Sequence, residues 1–229
     1  MKRPKISPWI LVFSLLFQFA FAADRLAITT KSRGEASLKR AEERNFKPQL
    51  SNGISLYNKD QVKTGKDGFI ALMFMDDKSQ VKIREYSEMV IEGRRKDQSI
   101  SKQINMQFGS LKAEVSEQRK GDFVIATPTS VASVKGTVFW VISDPLTGDT
   151  FYGLKGEVEV TNNKSGSVVV VGADQTANSA PDGKVDVGNT VPGTIPQLQE
   201  AADEESLNSI KIEFQDSEGN KKNLILEYR

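Results

Sequence analysis

Three places in the chain set carboxylates side by side, Glu42-Glu43, Asp76-Asp77 and Asp203-Glu204-Glu205, and Ser133 and Lys135 stand two residues apart. Paired carboxylates can share acid and base roles in hydrolysis, and a serine beside a lysine can be an activated nucleophile. Adjacent residues of a strand point to opposite faces, however, and all three acidic groups lie in polar segments, so they read as solvated turns or helix faces. Ser133 and Lys135 share a face only if the strand there is regular, and an accessible lysine on a surface strand accounts for the pair more simply.

The 229 residues include no His and no Cys. Thiolate nucleophiles, disulfides, zinc sites built on Cys or His and histidine acid-base catalysis are therefore excluded, because the atoms are absent. The aspartate-bearing turns at 182–186 and 216–220 lack the spaced oxygen ligands of a calcium loop, so neither a metal nor any other cofactor is expected. Asn163-Lys164-Ser165 matches a glycosylation sequon and reads as a turn. Phe69, Phe74, Phe108, Phe123, Phe139 and Trp140 could form a stacking platform for sugars, but most occupy strand positions where core packing is the default. Trp140 is the one aromatic that could stand at an exposed binding surface, because Trp is rarely buried in full.

These residues sit on β-type segments. From Leu26 to about Asn178, short apolar or alternating runs are separated by turn residues every 8 to 12 positions, which implies an all-β sandwich or wound sheet of antiparallel strands. Phe69 to Phe74 is apolar on both faces and should be a central strand. Ile104 to Phe108 and Leu111 to Val115 read as two strands around a Gly109-Ser110 turn. Residues 178–193 are rich in Gly, Pro, Asn, Asp and Ser and read as a linker or long loop. Thr194-Ile195-Pro196-Gln197 could cap a short helix running to Ser206, and Ile210, Ile212, Phe214, Leu224 and Leu226 alternate as a β-hairpin.

The chain starts with Met1-Lys2-Arg3-Pro4-Lys5, an apolar run from Trp9 to Phe21, and small residues at Ala20 and Ala22. This is the pattern of a secretory signal peptide cleaved after Ala22, placing the remainder in the periplasm or outside the cell. An uncleaved anchor is the alternative, though the run is shorter than the roughly 20 residues of a spanning helix. Without residues 1–22 the chain holds 28 basic against 30 acidic residues, which offers nucleic acid no electrostatic footprint. The expected division is 1–22 signal peptide, 23–177 β domain, 178–193 linker and 194–229 appendage.

The segment Thr127 to Val141, T-P-T-S-V-A-S-V-K-G-T-V-F-W-V, poses a parity problem. A straight strand cannot put Val134, Phe139 and Val141 on one face. A one-residue bulge or tight bend at Lys135-Gly136 can, and glycine admits the conformation. The competing reading is a strand buried on both faces with Lys135 reaching out to solvent.

Along the chain stand Leu56 to Gly68, carrying Asp60, Val62, Thr64 and Gly65 in order, then Asp77-Lys78-Ser79, Phe108-Gly109-Ser110-Leu111, the set Thr127, Pro128, Val134, Lys135, Gly136, Thr137 and Phe139, and Tyr152 to Val160. In these pieces the chain resembles the FecR domain, most densely from Thr127 to Phe139, against the family's T-P, V-R-G-T and F. Lys59 stands where the family usually has Gly. The family's regulators carry a cytoplasmic sigma-factor-binding segment and a membrane helix ahead of this domain. Here only the signal segment precedes it, so the resemblance implies the domain type and not sigma-factor regulation. The expectation is a non-enzymatic periplasmic interaction or signalling module for another cell-envelope protein. The alternatives are a cell-wall or polysaccharide-binding protein using Trp140 and neighbouring strands, and a membrane-tethered envelope sensor; Lys135 and Trp140 are the candidate binding surface.

Overall fold

The computed structural model describes residues 25–48, 50–96, 99–117, 121–198, 208–215 and 221–228; the signal segment lies outside them. The chain divides into two units, one ending at Thr190 and the other spanning Val191–Arg229. Among the described residues all regular structure is β.

In chain order the first unit holds β1 (Ala27–Arg33), β2 (Ala36–Lys39), β3 (Lys47–Pro48), β4 (Ser55–Leu56), β5 (Asp60–Thr64), β6 (Phe69–Phe74) and β7 (Gln80–Ile83). These are followed by β8 (Ser87–Lys96), β9 (Ser99–Glu114), β10 (Phe123–Ala126), β11 (Ser130–Val134) and β12 (Val138–Asp144). The unit closes with β13 (Gly148–Lys155), β14 (Val158–Asn162), β15 (Val168–Val171), β16 (Gln175–Ser179) and β17 (Val185–Asn189). Two sheets result. The first runs β4-β1-β6-β7-β9-β12-β13-β16-β17 and the second β3-β2-β5-β8-β9-β10-β11-β14-β15.

From β5 onward the chain passes back and forth between the sheets, winding a sandwich whose two inner faces share one core. Inward residues alternate along each strand, as a half-buried strand requires. Val62, Met89, Ile91, Ile104, Met106, Phe123 and Ile125 of the second sheet face Ile70, Leu72, Phe74, Val81, Leu111 and Phe139 of the first. Phe74 meets Phe123 edge-on at 5.5 Å. The all-β wound sandwich expected from the turn spacing is present, and β6 is a central strand between β1 and β7.

Three details of the first unit differ from expectation. The two strands expected around Gly109 are one 16-residue strand, β9, that crosses from the second sheet to the first. Gly109 is the crossing point: its φ is 110°, and a Cβ there would lie 2.4 Å from the Ser87 Cα. Pairing is not antiparallel throughout, since β10 lies parallel to β9. Residues 178–179 and 185–189, expected in a linker, belong to β16 and β17 at the margin of the first sheet. A marginal strand is held by backbone hydrogen bonds and needs apolar residues on one face at most; here only Ala177 and Ser179 turn inward, so the apolar alternation is faint.

In the second unit, residues 194–198 are not helical. The Thr194 hydroxyl donates back to the Val191 carbonyl at 2.8 Å, closing a turn instead of capping a helix; the rest of the expected helix, 199–206, lies outside the described residues. The hairpin is present as β18 (Asn208–Gln215) and β19 (Lys221–Tyr228), with Ile210 opposite Leu226 and Ile212 opposite Leu224.

Candidate functional site

The K-G-T tripeptide is a corner between sheets. β11 ends at Val134 in the second sheet and β12 begins at Val138 in the first, so the parity conflict is resolved by a change of sheet, not by a bulge within one strand. Val134, Phe139 and Val141 all enter the common core. Gly136 takes φ 80°, where a Cβ would sit 3.3 Å from the Glu117 Cα. Thr137 is buried; its hydroxyl donates to the Glu157 carbonyl at 2.9 Å and its own carbonyl accepts the Val115 amide at 2.9 Å. Lys135 is exposed as both readings required, but it lies on the corner after β11 ends at Val134 and not within a strand buried on both faces.

Close to that corner, Lys102 is buried among core residues with its side chain 1% exposed. Its Nζ lies 2.8 Å from Asp76 Oδ2 and 2.7 Å from Asp77 Oδ2, over the Phe74 ring. Asp77 also accepts the Ser79 amide and hydroxyl, both at 2.9 Å, and the Ser79 Oγ accepts the Ser116 amide at 3.0 Å. The neighbouring carboxylates of Asp76 and Asp77 therefore clamp the β6–β7 turn of one sheet to a lysine of the other. Charges buried this way persist because they are paired and hydrogen-bonded.

The other end of β11 carries a second polar cluster. The Thr127 hydroxyl accepts the Ser130 amide at 2.8 Å and donates to Asp149 Oδ2 at 2.5 Å. Asn162 donates through Nδ2 to Ser179 Oγ at 2.8 Å and to the Ala180 carbonyl at 2.9 Å, and Ser130 Oγ lies 2.8 Å from Ser179 Oγ. Thr127, Ser130 and Asn162 of the second sheet thus face Asp149 and Ser179 of the first, a polar cap over the core. Two atoms in it have no hydrogen-bond partner among the described residues: Asp149 Oδ1 and the Oγ of Ser143, which sits directly across the β12–β13 ladder from Asp149. Asn163 uses Nδ2 to hold the carbonyls of Thr127 and Pro128, each at 3.2 Å, so the sequon is a turn that braces the exposed Pro128.

The expected surface of Lys135 and Trp140 is not assembled. Phe139 and Val141 face the core, so Trp140 between them points to the outer face of the first sheet, where it stands between Lys112 and Tyr152 and is 2% exposed. A buried indole offers no stacking platform. Ser133 and Lys135 are both exposed, and no hydrogen bond joins them among the described residues. The Asp182 carboxylate accepts the amide of Lys184 within its own turn.

The two polar clusters were not expected. Lys102 had a signal, as the one charge in the inward alternation Ile100, Lys102, Ile104, Met106. Asp149 had a fainter one, two residues before Phe151 on the core face of β13.

Residues 60–159 match the family model described as FecR protein. Among solved structures, two crystal structures of a candidate anti-sigma factor from Parabacteroides distasonis ATCC 8503 are similar. One is 16% identical with a TM-score of 0.48 and the other 15% identical with a TM-score of 0.47. Each match covers 57% of this chain and 59% of that chain, so this chain spans about three fifths of their length. No curated protein matches.

Proposed function

We propose that the chain is an exported, non-enzymatic signalling module of the bacterial periplasm that acts by binding another cell-envelope protein. One observation carries the reading: the side chains with the most chemical potential are spent inside the fold. Lys102, Asp76 and Asp77 tie the sheets together at one end, and Thr127, Asp149, Asn162 and Ser179 do so at the other. What remains for function is surface and sheet edge, the currency of protein recognition. The FecR match over residues 60–159 supports a regulatory role of this kind. Burial of Trp140 removes the feature that favoured polysaccharide binding.

Two measurements test the proposal. Intact mass of the protein recovered from the periplasm should lack residues 1–22; retention of the full 229 residues would favour the tethered sensor. Reversible crosslinking of the full chain in intact cells, followed by mass spectrometry, should recover one envelope protein in near-stoichiometric amount. Recovery of nothing above background would defeat the interaction reading.

A further inference from the structure

The margins of this sandwich are protected unequally. Unpaired strand edges invite pairing with other chains, and proteins guard them with proline, charge or brevity. At one margin β3 is two residues long, Lys47 and Pro48, and the proline has no N–H to offer. At the other margin of the first sheet, β17 carries Asp186 and Gly188. The second sheet ends in β15, Val168 to Val171, which pairs only with β14 among the described strands and has neither charge nor proline.

The ladder shows which backbone groups are left over. The Asn162 amide donates to the Ser167 carbonyl at 2.9 Å, making that pair the hydrogen-bonded one that closes the β14–β15 hairpin. Bonded and non-bonded pairs alternate along an antiparallel ladder. Val169 and Val171 therefore bond to β14, while the N–H and C=O of Val168 and Val170 point away from the sheet. The same two residues have side chains 55% and 50% exposed. Across the ladder from Val170 stands the exposed Glu159.

We infer that Val168 to Val171 is a strand-addition site for an extended segment of the partner protein, alternating β-branched residues with a basic residue placed beside Val170. The inference rests on the interaction-module reading above. The open N–H and C=O groups specify an extended backbone, the valines specify apolar side chains on the outer face, and Glu159 specifies the basic one. A second copy of this chain pairing through β15 is a poorer occupant, because Val168 to Val171 holds no basic residue to set beside Glu159.

The test uses the full chain in cells with a photo-crosslinking residue at position 168, and at position 187 on β17 as control. The crosslinked partner segment is then sequenced, synthesised and titrated against purified protein. Val168 and Val170 amide exchange should slow on binding. Val170→Pro removes one outward N–H at an edge position where proline is tolerated, and should weaken the peptide about tenfold with its melting transition retained. Val168→Lys, which keeps the backbone donors but repels the basic residue, should weaken binding as well. Crosslinking to another copy of the chain, equal crosslinking from position 187, or binding by both variants within twofold of wild type would overturn the assignment. A partner recovered by the full chain but never crosslinked at 168 would refute this site and spare the module reading; no partner in any arm would refute both.

Discussion

The corner at Gly136 gives a prediction with its own control. In Gly136→Ala the methyl group must tolerate φ 80° and must also fit against the backbone of Glu117 at 3.3 Å. Gly53 has nearly the same φ, 81°, with nothing within 4 Å of where a Cβ would stand. Left-handed backbone costs a non-glycine residue about 1–2 kcal/mol, which should be the whole effect of Gly53→Ala. The contact at Glu117 is tighter than ordinary van der Waals distance against atoms that belong to the main chain, and overpacking of this sort adds about 1 kcal/mol. Gly136→Ala should therefore destabilise by roughly 2–3 kcal/mol, about 1 kcal/mol beyond Gly53→Ala. At about 2–4 °C per kcal/mol for a domain of this size, the melting midpoint should fall by about 4–12 °C. Urea unfolding of the three proteins, compared at constant m-value, measures both numbers. A Gly136→Ala midpoint equal to wild type, or no lower than that of Gly53→Ala, would sink the claim that the corner needs glycine for conformation and clearance together.

Three further outcomes are expected. Lys102→Met keeps the apolar stem but removes the ammonium shared by Asp76 and Asp77; breaking a buried pair costs about 3–5 kcal/mol, reduced here to about 2–4 because the carboxylates are partly exposed, and Asp76→Asn with Asp77→Asn in the same chain should recover part of the loss in urea unfolding. At Asp149, Asn supplies an amide for the unpartnered Oδ1 position beside Ser143 and should be neutral or stabilising, whereas Ala abandons the Thr127 hydroxyl and should cost about 1–3 kcal/mol by calorimetry. Lys59 adopts φ 67° where the resembling family usually has Gly, so Lys59→Gly should stabilise by about 1 kcal/mol and raise the melting midpoint by a few degrees.

What could be read in advance follows from periodicity. Phe69 to Phe74 announces a central strand because both faces are apolar, and the parity of Val134 against Phe139 and Val141 demands a bend at Gly136. Local parity cannot say what kind of bend. A bulge and a change of sheet satisfy the same three side chains, and only the partners, β14 for Val134 and β9 for Phe139, tell them apart. Gly109 misled for the same reason, since a turn and a crossing of sheets both call for a glycine. β16 and β17 were hidden by their marginal position, which asks little of their side chains. Trp140 was misplaced because its burial depends on neighbours across the outer face of the sheet, information that no single strand carries. Lys102 and Asp149 were legible as polar residues at apolar positions; their partners Asp77 and Thr127 lie 25 and 22 residues away.

The passage of β9 through both sheets sets an order of assembly. β7 and β8 pair on one side with β6 and β5, and each takes β9 on the other side. As the chain lengthens from its N-terminus, the strands up to β8 can form two small pairings, each with an edge left waiting. A single strand fills both, and it then offers β10 and β12 their registers on its far sides. A chain ended at Lys96 would thus present two half-finished sheets with open edges at β7 and β8, which a single later strand covers together.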